Sequence, residues 1–209
     1  MVMPESSLPP SALDRLLALA RRLSRVGVWA GGALTLASVA LITFEVLGRR
    51  FFGITLGGAD ELSGYAFAIS ITWAMAFTAL ERANVRIDVL YQYLPPRLSA
   101  LLDWLALVTL GVFAVYLSYY ASQVALTSWN LQSAANTPLG TPLWIPQTLW
   151  SAGLVWFVIV LALMLLRSST ALVHGDIAAL KAVAGVKSSV EEAEEGAAEG
   201  ARVVRAENA

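Results

Sequence analysis

The chain has no cysteine, one histidine and little charge. Without cysteine it can form no disulfide, thiolate nucleophile or cysteine-ligated metal site. His174 alone cannot supply the two axial ligands of a membrane haem, nor a zinc site built from several histidines. The net charge of −1 gives no basic excess for nucleic acid. There is also no P-loop, so we predict no catalytic, cofactor or metal site and no enzymatic activity.

Apolar residues are what the sequence has in excess. Of the 209 residues 57% are hydrophobic and only 14% are charged, whereas ordinary soluble domains carry about 25% charged residues. A soluble domain of this composition would expose large apolar patches and aggregate. The composition therefore predicts an integral membrane protein whose surroundings are the lipid bilayer.

Long uncharged runs locate the membrane spans, because a crossing helix needs about 20 apolar residues. Residues 26–44 and 62–80 are uncharged, and no charge occurs from Trp104 to Leu166. Prolines at 138, 142 and 146 interrupt that last run, and proline breaks a helix. The predicted fold is all-α with four transmembrane helices, at about residues 26–47, 61–81, 103–126 and 147–166.

The segments that flank this membrane domain (26–166) are predicted from composition. Residues 1–10 are expected to be disordered. Residues 11–25 place leucines on one helical stripe and arginines off it, which is typical of an amphipathic helix lying in the interface. The alternative is a simple extension of the first span. Residues 167–209 are expected to form an acidic tail that is disordered, with a frayed helix over 188–209 as the alternative.

Positive charge predicts the orientation, since arginine and lysine near the ends of spans accumulate on the cytoplasmic side. One side has only Arg49 and Arg50. The other side has eight arginines: Arg15, Arg21, Arg22, Arg25, Arg82, Arg86, Arg97 and Arg167. We therefore expect both termini in the cytoplasm.

Acidic residues near the ends of the first two spans are candidates for function, because ionisable groups in a membrane are costly. Glu45 could carry a proton or cation, or could pair with Arg49 four residues along the helix. Asp60 and Glu61 open the second span, where acids stabilise a helix N-terminus. With Arg49 and Arg50 they could instead form an ionic cluster that docks another subunit.

The loop after the second span carries a second candidate cluster, formed by Arg82, Arg86 and Asp88. Mixed charges of this kind also occur on ordinary solvated loops, and that alternative stays open.

Aromatic residues and glycines give further expectations about the spans. The loop between the third and fourth predicted spans is uncharged and is flanked by three tryptophans: Trp129, Trp144 and Trp150. We predict that they anchor the chain at the membrane interface. The pair Gly31–Gly32 and the single Gly111 are positions at which another helix could pack closely.

Four segments carry a family resemblance through their order and spacing. They are FEVLGRRFFG (44–53), ADELSGYAFAISITWAMAFTAL (59–80), ERANVRIDVLY (81–91) and TPLWIPQTLWSAG (141–153). Together they resemble the small membrane subunit of TRAP (tripartite ATP-independent periplasmic) transporters, over about residues 26–166. One departure is that the family often has histidine where Asn84 or Val85 stands here, which argues against a histidine-based role at this point.

The resemblance implies a scaffold subunit rather than a carrier. Its partners would be a large membrane subunit, which moves substrate and sodium, and a periplasmic substrate-binding protein. The substrate would be an organic acid such as a C4-dicarboxylate or sialic acid, imported across the bacterial inner membrane. The alternative is an autonomous homo-oligomeric transporter or channel that uses Glu45.

Overall fold

The computed structural model describes residues 12–55, 57–82 and 94–185, and the isolated positions 196, 197, 200, 201 and 205. Five helices form this part of the chain: α1 (Ala12–Phe52), α2 (Ala59–Leu80), α3 (Pro96–Asn130), α4 (Trp144–Val173) and α5 (Ile177–Ala184). The first four are long and apolar enough to cross a membrane. The predicted all-α fold with four spanning helices is therefore confirmed.

The four long helices are arranged in a row. Helix α2 packs between α1 and α4, and α4 packs between α2 and α3, so α1 and α3 are the two outer helices. Helix α5 packs across α3 and α4. We call the end with residues 57–58 and 131–143 the loop end, and the opposite end, with the start of α1 and with α5, the terminal end.

Small side chains line the contacts between helices. The buried residues of α1 are Ala20, Ser24, Gly27, Gly31 and Ser38. Because lipid removes the hydrophobic drive between helices, close backbone approach at small residues is what holds them together. A methyl group on Gly31 would lie 3.2 Å from Ser70 Cα of α2, whereas Gly32 has nothing within 4 Å. The close approach expected at this glycine pair is thus made by Gly31.

Helix α1 corrects one prediction about the flanks. It runs unbroken from Ala12 to Phe52, so no separate interfacial helix over 11–25 is seen, and the alternative of an extended first span describes the structure. The physical reason is that neither a proline nor a turn-forming pair occurs where the two segments meet, so the helix continues. The predicted disorder of residues 1–10 lies outside the described residues.

The segment after Arg167 differs from the predicted disordered tail. Its predicted disorder is wrong for residues 167–173, which continue α4, and for α5. A turn at Gly175, with φ of +70°, separates the two helices. Asp176 then caps α5 by accepting the Ala179 N–H at 2.9 Å, and Leu180 is 1% exposed. Apolar contacts with α3 and α4 therefore order a segment for which composition alone predicted disorder.

Candidate functional site

Four of the five charged candidates near the ends of the first two spans line one cleft at the loop end. Glu45 and Arg49 come from α1, and Asp60 and Glu61 come from the first turn of α2. The cleft has a volume of about 350 Å³. Arg50 is exposed and is not part of this lining. The arrangement brings both signs of charge from two helices to one place.

Glu61 is held by its own chain. One carboxylate oxygen accepts a hydrogen bond from the Tyr65 hydroxyl at 2.9 Å, one turn along α2. The other accepts from the Thr137 hydroxyl, which lies in the connection between α3 and α4. Glu61 therefore ties that connection to the start of α2, a role that no spacing in the sequence predicts because the partners are 76 positions apart.

The connection itself, residues 131–143, forms a small hairpin in place of a plain loop. The Ala135 N–H donates to Thr141 O at 2.9 Å, and the Leu143 N–H donates to Ser133 O at 3.0 Å. Its tip covers the start of α2 so closely that a methyl group on Gly58 would lie 2.1 Å from Leu139 Cδ1. A side chain at position 58 would therefore require the Leu139 side chain to move.

The three tryptophans expected at the membrane interface do not form one group. Trp129 ends α3 and Trp144 begins α4, and their rings meet edge to face with centroids 4.6 Å apart. Trp150 lies farther along α4 and is half-buried. Their depth in a bilayer stays a prediction.

Other tryptophans, which the sequence did not single out, join helices through their indole N–H groups. Trp73 of α2 donates to Leu149 O of α4 at 3.0 Å. Trp156 of α4 donates to Ser24 Oγ of α1 at 3.0 Å. The sequence could predict only that an indole N–H removed from water needs an acceptor, and not which residue supplies it.

At the terminal end, charged side chains join helices of this chain. Arg167 of α4 pairs with Asp14 of α1 at 2.9 Å, and Arg21 of α1 pairs with Glu81 at 3.2 Å. Arg82, predicted to belong to a cluster in this region, donates to Lys181 O of α5 at 3.2 Å.

The two other members of that predicted cluster, Arg86 and Asp88, lie outside the described residues. Asp103 of α3 was missed, although it directly precedes the long uncharged run. It is 1% exposed, the only charged side chain buried among the described residues. The described part of the chain also contains no group of three or more histidines, aspartates or glutamates that could hold a metal ion.

The family model described as "Tripartite ATP-independent periplasmic transporters, DctQ component" matches residues 38–171. The matched region contains the loop-end cleft, the hairpin, and the whole of α2 and α3. A comparison with curated proteins found no match, and a comparison with solved structures found none either.

Proposed function

From the premise that this chain belongs to the DctQ family, the small membrane component of TRAP transporters, we propose that it is a non-catalytic scaffold. The resemblance drawn from the four sequence segments is confirmed by the family match. In this family the DctQ component works with a large membrane subunit and a periplasmic binding protein. We propose the same partners here, in a sodium-coupled importer of an organic acid.

The observation that supports a scaffold best is the fastening of the helices to one another at both ends. At the loop end Glu61 holds the hairpin through Thr137. At the terminal end the pairs Asp14–Arg167 and Arg21–Glu81 join α1 to the neighbouring helices. A carrier must rearrange its helices around the substrate, whereas these contacts favour one fixed arrangement.

The loop-end cleft is the proposed docking point for charged groups of a partner. Asp60 and Arg50 are exposed, so they can make contacts outside the chain, while Glu61 shapes the same surface by holding the hairpin. Glu45 and Arg49 complete the cluster. At the terminal end, the second proposed docking cluster consists of Arg82, Arg86 and Asp88.

Affinity purification of the tagged chain from its native membranes in mild detergent, followed by mass spectrometry, tests the proposed function. We expect a larger polytopic membrane protein in near-stoichiometric amount. A homo-oligomer without such a protein would contradict the proposal. Cation or substrate flux through liposomes containing this chain alone, lost in Glu45→Gln, would select an autonomous transporter instead.

Two substitutions at the loop end test the docking point. Asp60→Ala should lower recovery of the large subunit, because a charge that loses its partner in a desolvated interface is costly. Glu61→Ala should also lower it, because the hairpin loses its bond to the start of α2. Asp176→Ala, which removes a helix cap at the opposite end, is the matched control. Unchanged recovery and unchanged substrate uptake in both loop-end variants would rule out this assignment.

The proposed orientation, with both termini in the cytoplasm of a bacterial cell, has a direct test because the natural chain has no cysteine. Asn136→Cys in the hairpin should react in intact cells with a thiol reagent that cannot cross the inner membrane. His174→Cys, at the terminal end, should react only after the membrane is opened. The reverse pattern would invert the topology.

A further inference from the structure

One outer helix of the row exposes polar side chains along its outward face. On α3, Tyr116, Tyr119 and Tyr120 are 62%, 58% and 51% exposed, and Gln123 is exposed as well. Because residues three and four apart share a side of a helix, these four residues form one continuous surface. We call it the polar face of α3.

The position of the polar face within its uncharged run predicts that its tyrosines lie near the bilayer centre, with Gln123 closer to the loop end. The uncharged part of α3 runs from Trp104 to Asn130, and Tyr116 stands near its middle, about 18 Å from the first of these residues at 1.5 Å per residue. The hydrocarbon core is only about 30 Å thick. Side chains of a helix lean toward its N-terminus, so we expect the hydroxyls of Tyr119 and Tyr120 to lie toward the centre and away from the loop end.

Among the described residues, these polar groups have no hydrogen-bond partner. The rings instead pack on one another, with centroids 4.6 Å apart for Tyr116 and Tyr120 and 5.2 Å apart for Tyr119 and Tyr120. By contrast, the exposed Thr109 of the same helix donates to Leu105 O at 2.9 Å.

Lipid tails cannot satisfy such groups. A hydroxyl or amide without a partner in hydrocarbon is costly, and hydrogen bonds between polar side chains are one of the forces that associate helices in a membrane. Tyrosine that faces lipid normally lies at the headgroups, whereas the position of Tyr116 in its uncharged run predicts a place near the bilayer centre. The polar face of α3 therefore requires a protein neighbour with hydrogen-bonding groups at the same depth.

We propose that the polar face of α3 is the surface on which a transmembrane helix of the large membrane subunit docks. The inference rests on the proposed function, since that function supplies the membrane partner. The docking helix presents hydroxyl, amide or backbone carbonyl groups to Tyr116, Tyr119, Tyr120 and Gln123. Because α3 is an outer helix of the row, the partner can approach without displacing any described helix.

Site-directed photo-cross-linking in the intact complex tests the surface. Benzoylphenylalanine replaces Tyr116 or Tyr119 on α3, or Leu36 on α1, which is 72% exposed and lies near the middle of its own uncharged run. We expect the large subunit to be cross-linked from α3 and not from Leu36. Cross-linking to a second copy of this chain, to lipid only, or equally from Leu36 would overturn the proposal.

A second measurement tests the hydrogen bonds themselves. The triple variant Tyr116→Phe, Tyr119→Phe and Tyr120→Phe keeps the rings and removes the hydroxyls, so it tests the contact without removing packing surface. Recovery of the large subunit should fall about three-fold for each paired hydroxyl. Thr109→Val, which removes a hydroxyl already bonded within α3, should leave recovery unchanged.

The outcomes separate this inference from the proposed function. If the natural chain retains the large subunit and the triple variant retains it equally, the polar face is not the docking surface while the proposed function stands. If the natural chain retains no large subunit, the proposed function is wrong, and this inference fails with it.

Discussion

The two outer helices, α1 and α3, differ in how their polar side chains are hydrogen-bonded. Between Gly32 and Phe44, α1 has three hydroxyl side chains. Each donates to the carbonyl four residues earlier: Thr35 to Gly31 O, Ser38 to Leu34 O and Thr43 to Val39 O. The polar face of α3 has tyrosines and a glutamine that make no such bond. An outer helix that satisfies its polar groups locally is suited to lipid, and one that does not is suited to a protein neighbour.

The largest predicted change in stability should come from disrupting the packing of α1 against α2. Gly31→Leu adds a side chain at 3.2 Å from the Ser70 backbone, where overpacking costs up to about 3 kcal/mol. Gly32→Leu on the same helix has open space and should change stability by less than about 0.5 kcal/mol. Thermal unfolding in detergent measures both. Equal destabilisation would mean that α1 does not pack on α2 through Gly31.

A smaller effect should follow from giving α1 the character of α3. Leu36→Gln places an amide at mid-depth on the exposed side of α1, where the neighbouring carbonyls are already used. The amide should stabilise the association of α1 with a second protein surface by about 1–2 kcal/mol, as polar side chains do in model transmembrane helices. Energy transfer between labelled chains in bilayers should rise, with Leu36→Met as the control. Unchanged energy transfer would show that one polar group is not enough to recruit a neighbour.

The smallest effect concerns the ion pair between α1 and α4. The side chains of Arg167 and Asp14 are 29% and 38% exposed, so solvent screens their attraction and the pair should contribute about 0.5 kcal/mol. Arg167→Ala should lower the unfolding midpoint by a correspondingly small amount at low salt. At high salt the difference from the natural chain should shrink. A salt-independent loss would indicate that packing of the arginine stem, and not its charge, carries the effect.

The span positions could be predicted because hydropathy is local and the thickness of a bilayer sets the length of an apolar run. The prolines at 138, 142 and 146 likewise marked the break between α3 and α4. The continuity of α1 through Arg25 was harder to predict, because helix propagation depends on the absence of a breaker and the amphipathic pattern suggested a separate element.

Contacts between distant residues could not be predicted from spacing. Glu61 was identified as a candidate, but its bond to Thr137 depends on how the hairpin folds back over α2. Gly31 and Gly32 are equivalent in sequence, and only the rotation of α1 decides which one meets Ser70. The polar face of α3 did leave a signal, since Tyr116, Tyr120 and Gln123 place polar groups at helical spacing within a mostly apolar run.

The fastening of both ends has a mechanical consequence. A row of helices joined at one end only can shear, with each helix sliding along its neighbour. Here the Glu61–Thr137 bond and the Leu139 contact hold one rim, while two ion pairs hold the other. A slide of α2 by one residue, about 1.5 Å, would strain both rims at once, because Glu61 and Glu81 lie at its two ends. In the scaffold that we propose, α2 is therefore the helix whose position along the membrane normal is set by contacts at both of its ends.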